Sequence, residues 1–549
     1  MARKLAGILG NQGPSHLVRS HAHEEDVPGT VNVRAVEGDD AYHGQALFPV
    51  PAEDPNDPLQ WPKVKKITIL LVICAYSFLG NAALLGPGPY LTLWASTFGI
   101  STSEASTLIS YPNLAYGLGS FFLVPLYLKI GRRPVMLGSL LAFIAGLAGC
   151  AQANDFGGLM AARIVHCFGA GICEALPVQL VNDIFFLHER GKHIGYYTFG
   201  LCFAAMATIP AAYMLPTRYS WRLFFYVMLA FACALFVLAF LFVEETSYDR
   251  PAHAARPQGT PERSDGEAAG NAPDKPSEAA VELAPDTPPR KRFLATLSPW
   301  GRVDPDVHAF TLMWRSFTYF LVPQVVWVIT SFGTIIGLGA LAFNYVFPIK
   351  ITAPPYNWPS SSSGVQSLGS LLGFLLALPF TSSSDRLAGY LTRRNDGIRE
   401  AEMRLGVMLP AMVIGPVGLL VYGLTAELDL HWIGYFFGSG LVSFGGYFYY
   451  CFTLVYAVDS YNSNTSEMLI AINIGKQAVS FGLGYGVLDW VMESGYAAVI
   501  SGAFGGVLLV NNMMLIVFML RGKRIRQFMA TSWLAKLHGR RGASSTGVL

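Results

Sequence analysis

The stretch ARIVHCFGAGICEALP, residues 162–177, contains Arg163, His166 and Glu174 but otherwise has the composition of an apolar helix. Arg163 and Glu174 are 11 residues apart, or three helical turns plus about 20°, so a continuous helix would place them on one face. They would lie about 16 Å apart along the axis, too far for a direct ion pair. A charge at mid-bilayer costs about 2.5–3.5 kcal/mol on an insertion scale, so this face is expected to meet a wet cavity.

Glu174 is the strongest candidate for a proton or cation site. Ile172, Ala175 and Leu176 would desolvate its carboxyl group, and desolvation favours the protonated form. Such a group could load and release a proton or pair with a cationic substrate; a helix-packing network is the alternative. His166 could change charge near physiological pH, but a packing histidine is the more common case in an apolar helix.

A second polar stripe lies nearer the C-terminus. Asn473, Lys476 and Gln477 follow one another at helical spacing within an apolar run. Lys476 is too deep in that run to reach the membrane surface easily, so it either lines a cavity or forms a salt bridge to the other half of the chain.

Other polar and aromatic residues could line a substrate cavity. Helix-packing hydrogen bonds are the alternative for the amide side chains, and lipid contact is the alternative for part of the aromatic run. The aromatic rings would suit a hydrophobic or cationic substrate. The candidates are Asn81, Gln324, Trp327, Ser331, Asn344, Tyr447 and Tyr450.

The composition predicts a membrane protein. Of the 549 residues, 52% are hydrophobic and 13% charged, against about 25% charged in soluble domains. The seven cysteines have no metal-ligand spacing, and the net charge of +2 gives no reason to expect a nucleic-acid partner. No enzyme motif, cofactor site or metal site is predicted.

Twelve apolar runs are long enough to cross a bilayer, which takes about 20 residues. They fall in two groups of six, separated by a long polar segment. The predicted spans are 67–93, 106–128, 134–152, 158–182, 195–215, 222–243, 318–346, 363–381, 405–425, 432–456, 467–489 and 497–519.

This pattern divides the chain into five regions. The linker is rich in Pro, Ala, Gly and charge and cannot bury enough apolar surface to fold alone. The regions are a mostly disordered N-terminal tail (1–66), a six-helix bundle (67–243), a mostly disordered central linker (244–315), a second six-helix bundle (316–520) and a basic C-terminal tail (521–549).

Most of the 38 Lys and Arg residues fall on one side of this arrangement. Cytosolic loops are the ones enriched in Lys and Arg, so both termini, the linker and the basic loops are expected in the cytosol. The basic loops LYLKIGRRP (126–134) and SSSDRLAGYLTRRNDG (382–397) follow matching spans of the two groups, which suggests an internal duplication.

Several stretches have the form of transporter signatures. Together they resemble the major facilitator superfamily, and within it the fungal twelve-span branch of proton-coupled drug and organic-cation carriers. The stretches are DPNDPLQWPKVKK (54–66), PLYLKIGRRPV (125–135), ARIVHCFGAG (162–171), DIFFLHERGKHIGYY (183–197), SWRLFFYV (220–227), FVEETSYDR (242–250), RRNDGIREAEMRL (393–405) and DSY (459–461).

The resemblance implies an all-α membrane protein with 12 transmembrane helices in two pseudo-symmetric six-helix bundles. It also implies a proton-coupling role for Arg163, for which a fixed structural ion pair is the alternative. Residues in the basic loops are expected to gate the conformational change: Gly131, Arg132, Arg133, Glu189, Arg190, Asp385 and Arg386. The chain departs from the family pattern at Leu128, where an aspartate is usual, and around Pro210, where the antiporter glycines are replaced.

Three functions follow as hypotheses. The favoured one is a proton-coupled exporter of small amphipathic organic molecules, such as toxicants or fungal secondary metabolites, acting as a monomer in the plasma membrane. The second is a proton-coupled importer of organic cations such as polyamines. The third is a membrane sensor that does not transport, which the short C-terminal tail disfavours.

Overall fold

The structure is a computed structural model that describes residues 30–32, 54–248 and 293–534, apart from 299, 301–302, 304–306, 338–342, 396–397 and 461–464. Most of the predicted N-terminal tail and central linker, and the end of the predicted C-terminal tail, lie outside the described residues. The four-residue helix Phe293–Thr296 lies within the predicted linker, in its C-terminal part.

The first half contains six helical segments that are long and apolar enough to cross a membrane: Lys63–Phe98, Thr102–Ile130, Arg132–Gln152, Phe156–Ile184, Glu189–Met214 and Trp221–Phe242, here spans 1–6. Three of them are interrupted. Span 1 consists of Lys63–Leu85, the 3-10 turn Gly88–Tyr90 and Leu91–Phe98. Span 4 consists of Phe156–Ala170 and Ala175–Ile184. Span 5 consists of Leu187–Phe203, Ala204–Ala207 and Thr208–Met214.

Four segments of the second half meet the same criterion: Ser360–Arg394, Ala401–Glu427, Ile433–Ser460 and Ala497–Thr531, here spans 8, 9, 10 and 12. Span 11 is the 21-residue helix Thr465–Tyr485, which Asn473, Lys476 and Gln477 make more polar than the others. The helix Val487–Ser494 follows it. Spans 10 and 12 contain π-helical turns at Tyr449–Thr453 and Ala497–Phe504.

Span 7 differs most from expectation. The helix Ala309–Thr318 and the turn Tyr319–Leu321 meet Pro323–Ile335 at an angle of 88°, and Phe343–Thr352 completes the span beyond residues 338–342. A proline disfavours the helical conformation of the residue before it, and Val322 is extended, with φ −90° and ψ 114°. The prediction that span 7 begins at residue 318 is therefore wrong.

One small sheet accompanies the helices. Thr30–Asn32 pairs antiparallel with Ile398–Glu400, between spans 8 and 9, and Thr30 lies opposite Glu400. The last helix runs to Thr531, past the predicted end of span 12, and in this extension Arg526 is buried and pairs with Glu402 at 2.5 Å. Apart from this sheet, the described regular structure is helical, as the sequence predicted.

We name the two ends of the molecule by their loops. The basic face carries Gly131, between spans 2 and 3, and Asn395, after span 8; the opposite face carries Gly99, after span 1, and Asp155, before span 4. Spans 1–6 and 7–12 form two bundles. They meet along two seams, the span 2/11 seam and the span 5/8 seam.

Candidate functional site

Span 4 is interrupted where its acidic residue lies. Residues 171–174 form a turn between the helices Phe156–Ala170 and Ala175–Ile184, and Glu174 is the first residue before the second helix. The prediction of a continuous helix over 158–182 is therefore wrong, and Arg163 and Glu174 do not lie on one straight helix. Broken helices near the middle of the membrane are typical of transporter binding sites.

Side chains of other spans satisfy the backbone of this turn. Pro177 has no N–H to donate to the Cys173 carbonyl, and the Ser77 hydroxyl of span 1 donates to that carbonyl at 2.5 Å. Ser120 of span 2 donates to the Gly171 carbonyl, and Tyr197 of span 5 donates to the Glu174 carbonyl at 3.0 Å. The break is thus held open by a set of hydroxyl groups on three neighbouring spans.

The Glu174 carboxylate forms an ion pair with the Lys476 ammonium group of span 11. The pair joins the first half to the second, and the two side chains are only 4% and 3% exposed. The Lys476 nitrogen also lies 5.2 Å from the centroid of the Phe332 ring of span 7. Removing one partner of a buried ion pair costs about 3–5 kcal/mol, because the other charge is left buried and unpaired.

Two polar atoms beside Lys476 have unused hydrogen-bonding capacity. The Asn473 Nδ2 and Gln477 Oε1 atoms are buried and have no hydrogen-bond partner among the described residues. The Gln477 side chain packs against Gly117 of span 2, where a Cβ would lie 3.0 Å from the Gln477 Cβ. Since an unsatisfied buried group costs about 1–3 kcal/mol, these two atoms are suited to receive a polar ligand.

Asn81 lies in a small polar cluster beside the break. Its Nδ2 donates to the Ser77 carbonyl at 3.0 Å and to the Tyr116 hydroxyl at 3.1 Å, and it lies 3.7 Å from the Cys173 sulfur. The Tyr116 hydroxyl lies 2.7 Å from the same sulfur. This cluster ties spans 1, 2 and 4 together next to Glu174, and the sequence did not single out Tyr116 or Cys173.

Arg163 binds backbone carbonyl groups rather than a carboxylate. Its Nε donates at 2.5 Å to the Leu108 carbonyl, whose usual helical donor would be the missing N–H of Pro112. Its Nη2 donates at 3.1 Å to the Leu84 carbonyl, in the last turn of the first helix of span 1. Arg163 forms no ion pair with a described carboxylate, so it fastens together the breaks of spans 1 and 2.

Two aromatic rings complete the surroundings of Arg163. The guanidinium carbon lies 5.7 Å from the Trp94 ring centroid and 6.0 Å from that of Phe225. Two carbonyls and two ring faces are a neutral set of partners for a buried cation. The geometry therefore favours a positioning role for Arg163.

His166 packs at the contact between spans 3 and 4. Its ring lies 6.0 Å from the Phe143 ring, edge to face, and its backbone lies against Gly146, where a Cβ would collide with it. The structure does not bring His166 to the Glu174–Lys476 pair.

The predicted cavity residues of spans 7 and 10 separate into three places. Trp327 and Ser331 face span 12, where the Trp327 Nε1 donates to the Asn511 carbonyl at 3.0 Å and the Asn511 amide donates to the Ser331 hydroxyl at 2.7 Å. The Tyr450 ring lies 5.2 Å from Phe332, close to Lys476. Gln324 is buried in span 7.

The remaining candidates lie where the halves touch. The Tyr447 hydroxyl donates at 3.1 Å to the Gly195 carbonyl of span 5 and lies 2.9 Å from the Thr381 hydroxyl of span 8. On the opposite face, Asn344 packs against Gly88 of span 1, where a Cβ would lie 3.1 Å from the Asn344 Cβ. These residues belong to the contacts between the halves rather than to the central pair.

The halves are in contact on both sides of the Glu174–Lys476 pair. Toward the opposite face, the Thr208 and Ser367 hydroxyls lie 2.5 Å apart in the span 5/8 seam. In the span 2/11 seam, the Ser103 hydroxyl donates to Asp489 at 2.8 Å and the Asn113 amide donates to the Ser480 hydroxyl at 3.3 Å. The ion pair is thus enclosed between contacts at both ends.

The loop between spans 2 and 3 is held by the first half and by the end of the helix Phe293–Thr296 in the predicted linker. Arg132 Nε lies 3.3 Å from the Asp183 carboxylate, and the Arg132 and Arg133 N–H groups both donate to Glu245 at 3.0 Å. The Arg133 guanidinium donates to four backbone carbonyls, those of Phe240, Val243, Thr296 and Leu297. Gly131 has a φ of 105°, a conformation that favours glycine.

The corresponding loop of the second half contains a denser charge network. Arg404 Nη1 and Nε lie 2.5 Å from the Asp385 and Asp459 carboxylates, and Arg399 lies 3.8 Å from Asp385. Burial, together with the positive charge of Arg404, lowers the pKa of Arg399 to about 10, so Arg399 stays charged at neutral pH. We name Asp385, Arg399, Arg404 and Asp459 the loop 8–9 network.

The loop 8–9 network reaches the other half at one point. A Cβ on Gly191 of span 5 would collide with the Asp385 carboxylate, so glycine permits this approach. Arg190, next to it, is buried and donates to the Asn182 carbonyl at 3.4 Å. Arg386 is exposed and Glu189 is half-buried, and among the described residues neither side chain forms a hydrogen bond or an ion pair with the other half.

Comparison with known proteins places this architecture in a family. The sequence profile of the Major Facilitator Superfamily matches residues 69–485. The MFS transporter fsa7 of Fusarium sp. (strain FN080326) is 26% identical over 428 residues, with 77% of each chain covered. The MFS-type transporter penM of Penicillium rubens is 26% identical over 430 residues, covering 76% of this chain and 77% of penM.

A solved structure agrees on the fold. The MFS proton:xylose symporter XylE, bound to 6-bromo-6-deoxy-D-glucose, superposes with a TM-score of 0.52 at 13% identity, over 84% of this chain and 96% of XylE. At that identity the likeness shows the fold alone. Proteins of this family are multi-pass membrane transporters of small molecules, not enzymes. The profile match over most of the chain shows that this chain belongs to the major facilitator superfamily.

Proposed function

We propose that the protein is a proton-coupled secondary transporter that works by alternating access, and that the Glu174–Lys476 ion pair is its proton-sensitive contact. The single observation behind this proposal is the position of the pair: it joins the two halves, it is buried, and it lies at the break in span 4. When either side chain of such a pair gains or loses its charge, the stability of the closed interface between the two halves changes.

The coupling follows from electrostatics. When Glu174 binds a proton, its attraction for Lys476 is lost and the ammonium group is left buried without a counter-charge. Breaking a buried pair costs about 3–5 kcal/mol, and every 1.4 kcal/mol is a factor of ten in an equilibrium constant. Protonation would therefore shift the balance between closed and open arrangements by about 100-fold or more, enough to drive a transport cycle.

We infer that the substrate is a small amphipathic organic molecule. Phe332 and Tyr450 offer aromatic surface, while Asn473 and Gln477 offer one free donor and one free acceptor beside it. The carboxylate at this site is already paired with Lys476, which disfavours the uptake of polyamines or other organic cations as the main activity.

The direction and location belong to the same proposal. The Lys and Arg distribution supports a cytosolic basic face with both termini in the cytosol, and we propose export across the plasma membrane. A single chain contains both halves of the pathway, so the monomer is the proposed transport unit.

The test is substrate accumulation in yeast that expresses the full chain, with a labelled polyamine, a panel of amphipathic toxins, and a protonophore. We expect the wild type and the control Glu104→Gln, an exposed acid on the opposite face, to lower toxin accumulation in a protonophore-sensitive way. Glu174→Gln should lose this effect. A rise in polyamine uptake would reverse the proposed direction, and no response by surface-expressed protein would favour a sensor.

A matched set of variants separates charge from folding. Lys476→Gln leaves Glu174 without its partner, while Glu174→Gln with Lys476→Gln removes both charges. We expect the double variant to recover the thermal stability that Lys476→Gln loses, but not the proton dependence of transport. Recovery of proton-dependent transport in the double variant would place the coupling group elsewhere.

A further inference from the structure

The helix Ala309–Thr318 lies nearly perpendicular to the membrane-crossing helix that follows it. The angle between Ala309–Leu321 and Pro323–Ile335 is 88°, and the latter packs along span 11. A helix perpendicular to a crossing helix lies close to the plane of the membrane. Its position before span 7 places it at the basic face, where it meets the start of span 11.

We call Ala309–Thr318 the surface helix, and its exposed side is aromatic. Phe310, Trp314 and Phe317 follow one another at spacings of four and three residues and are 88%, 77% and 47% exposed. Leu312 and Ser316 lie on the other side and are buried. Three large rings on one exposed side are unfavourable in water, and this residue pattern is typical of helices that lie in the membrane interface.

This aromatic side is continuous with the lipid-facing surface of the first half. The Phe317 ring lies 5.4 Å from Phe121 of span 2, which lies 5.2 Å from Phe122, and Phe122 is 50% exposed on the outside of that span. A surface that continues the outside of a crossing helix is bounded by the same medium. The medium beside span 2 is lipid.

The surface helix also contacts both halves. Phe317 packs on span 2 of the first half, and Arg315 lies 3.7 Å from Glu467 in the first turn of span 11 in the second half. It therefore bridges the span 2/11 seam at the basic face.

We propose that Ala309–Thr318 is an interfacial helix whose aromatic side is buried in the lipid leaflet at the basic face, and that its lipid anchorage holds the span 2/11 seam closed there. The helix acts as a brace: lipid covers its aromatic side, Phe317 of that side also packs on span 2, and Arg315 pairs with span 11. The proposal does not use proton coupling, so it stands or falls separately from the transport mechanism.

Photo-crosslinking tests what covers the aromatic side. The full chain, in vesicles of phosphatidylcholine and phosphatidylserine, would carry benzoylphenylalanine at position 310 or 314, with Phe231 of span 6, which is 58% exposed, as the lipid-facing control position. We expect lipid adducts at 310 and 314 as abundant as those at 231. A crosslinked dimer, or adducts at 231 alone, would overturn the proposal.

Hydrogen exchange in lipid nanodiscs tests whether the helix Ala309–Thr318 holds the span 2/11 seam closed. We expect Phe310→Ser with Trp314→Ser to speed amide exchange in the first turns of span 11 at least threefold. The matched control, Phe231→Ser with Leu238→Ser, also removes two exposed apolar side chains, here from span 6, and should leave span 11 unchanged. Equal exchange in span 11 for both variants would show that the lipid contact of this helix does not hold the seam.

Discussion

The two seams between the halves close by different physical means at the basic face. At the span 5/8 seam, the loop 8–9 network brings the Asp385 carboxylate against Gly191, and Tyr447 donates to the Gly195 carbonyl. At the span 2/11 seam, the internal repeat places Leu128 where the second half has Asp385. No carboxylate of the loop between spans 2 and 3 reaches span 11 there; the surface helix bridges the seam, beside a hydrogen bond of 3.2 Å from the Ser466 hydroxyl of span 11 to the Gln179 amide oxygen of span 4.

This difference shows that corresponding loops in two halves of similar architecture can form different side-chain contacts. In the first half, the Arg132 side chain pairs with one carboxylate, that of Asp183, and the Arg133 side chain donates to backbone carbonyls. In the second half, Arg404 holds two carboxylates. The span 5/8 seam should therefore respond to the removal of charge, and the span 2/11 seam to changes in packing and lipid contact.

The largest expected effect on stability comes from removing the arginine of each loop that pairs with carboxylates: Arg404 in the loop 8–9 network and Arg132 in the loop between spans 2 and 3. Arg404→Ala removes a buried cation and leaves two half-buried carboxylates close together without their shared partner, and we expect a loss of about 3–5 kcal/mol of stability. Arg132→Ala removes a longer, single pair that is 15% exposed on the arginine side, and we expect a loss of about 1 kcal/mol. Thermal unfolding in nanodiscs measures both. Similar losses of stability for Arg404→Ala and Arg132→Ala would contradict the proposed difference between the two loops.

Adding one methyl group to each seam should have an intermediate effect. A Cβ at Gly195 would overlap the Thr381 methyl group, whereas a Cβ at Gly117 would lie 3.0 Å from the Gln477 Cβ, which can move with its side chain. We expect Gly195→Ala to cost about 1–3 kcal/mol and Gly117→Ala to cost less. Transport rate and thermal stability, measured on the same preparations, test the order. The reverse order would place the tighter packing at the span 2/11 seam.

The smallest expected effect is on the ion pair of the surface helix. Arg315 and Glu467 are 3.7 Å apart, and the arginine side chain is 17% exposed, so Arg315→Gln should cost at most about 1 kcal/mol of stability. Lys350→Gln removes a similarly exposed cation, paired with Asp429 at 2.8 Å on the opposite face, and is the control. A loss from Arg315→Gln that approaches that of Arg404→Ala would show that charge, not lipid contact, holds this seam.

The sequence predicted the spans and the residues of the central pair because both have local signals. A run of about 20 apolar residues identifies a span, and a lone charge inside such a run identifies a candidate site. Glu174 and Lys476 were singled out separately in this way. That they pair could not be derived, because nothing along the chain fixes which residue of span 4 faces which residue of span 11.

Interruptions of helices were harder to predict because periodicity continues across them. Pro177 was a visible sign that the Cys173 carbonyl would lack its helical donor, but the hydroxyl that satisfies it comes from Ser77, nearly 100 positions earlier in the chain. The groups that Arg163 binds could not be derived from the sequence for the same reason. Its partners are carbonyls freed by Pro112 and by the end of a helix, and they become its neighbours only in the fold.

The surface helix was missed because its apolar residues resemble the start of a span. Phe310, Trp314 and Phe317 lead directly into the apolar run of span 7, and only the 88° bend at Pro323 separates the two. Earlier in the predicted linker the described helix is only Phe293–Thr296, and the Thr296 carbonyl accepts a hydrogen bond from Arg133.

The central claim is that protonation of Glu174 breaks the contact with Lys476 and opens the interface between the halves. Distances between spin labels across the halves test it most directly, with one label pair at positions 192 and 393 on the basic face and another at 218 and 493 on the opposite face, all exposed. Cys233 is the one exposed native cysteine and would be replaced by serine. Spectra would be recorded in nanodiscs from pH 5 to 8.

The wild type should change its distance distribution with pH, and Glu174→Gln should show the low-pH distribution at every pH. The control Glu104→Gln should follow the wild type. If Glu174→Gln shifts with pH as the wild type does, or keeps the high-pH distribution throughout, the ion pair is not the proton-sensitive contact.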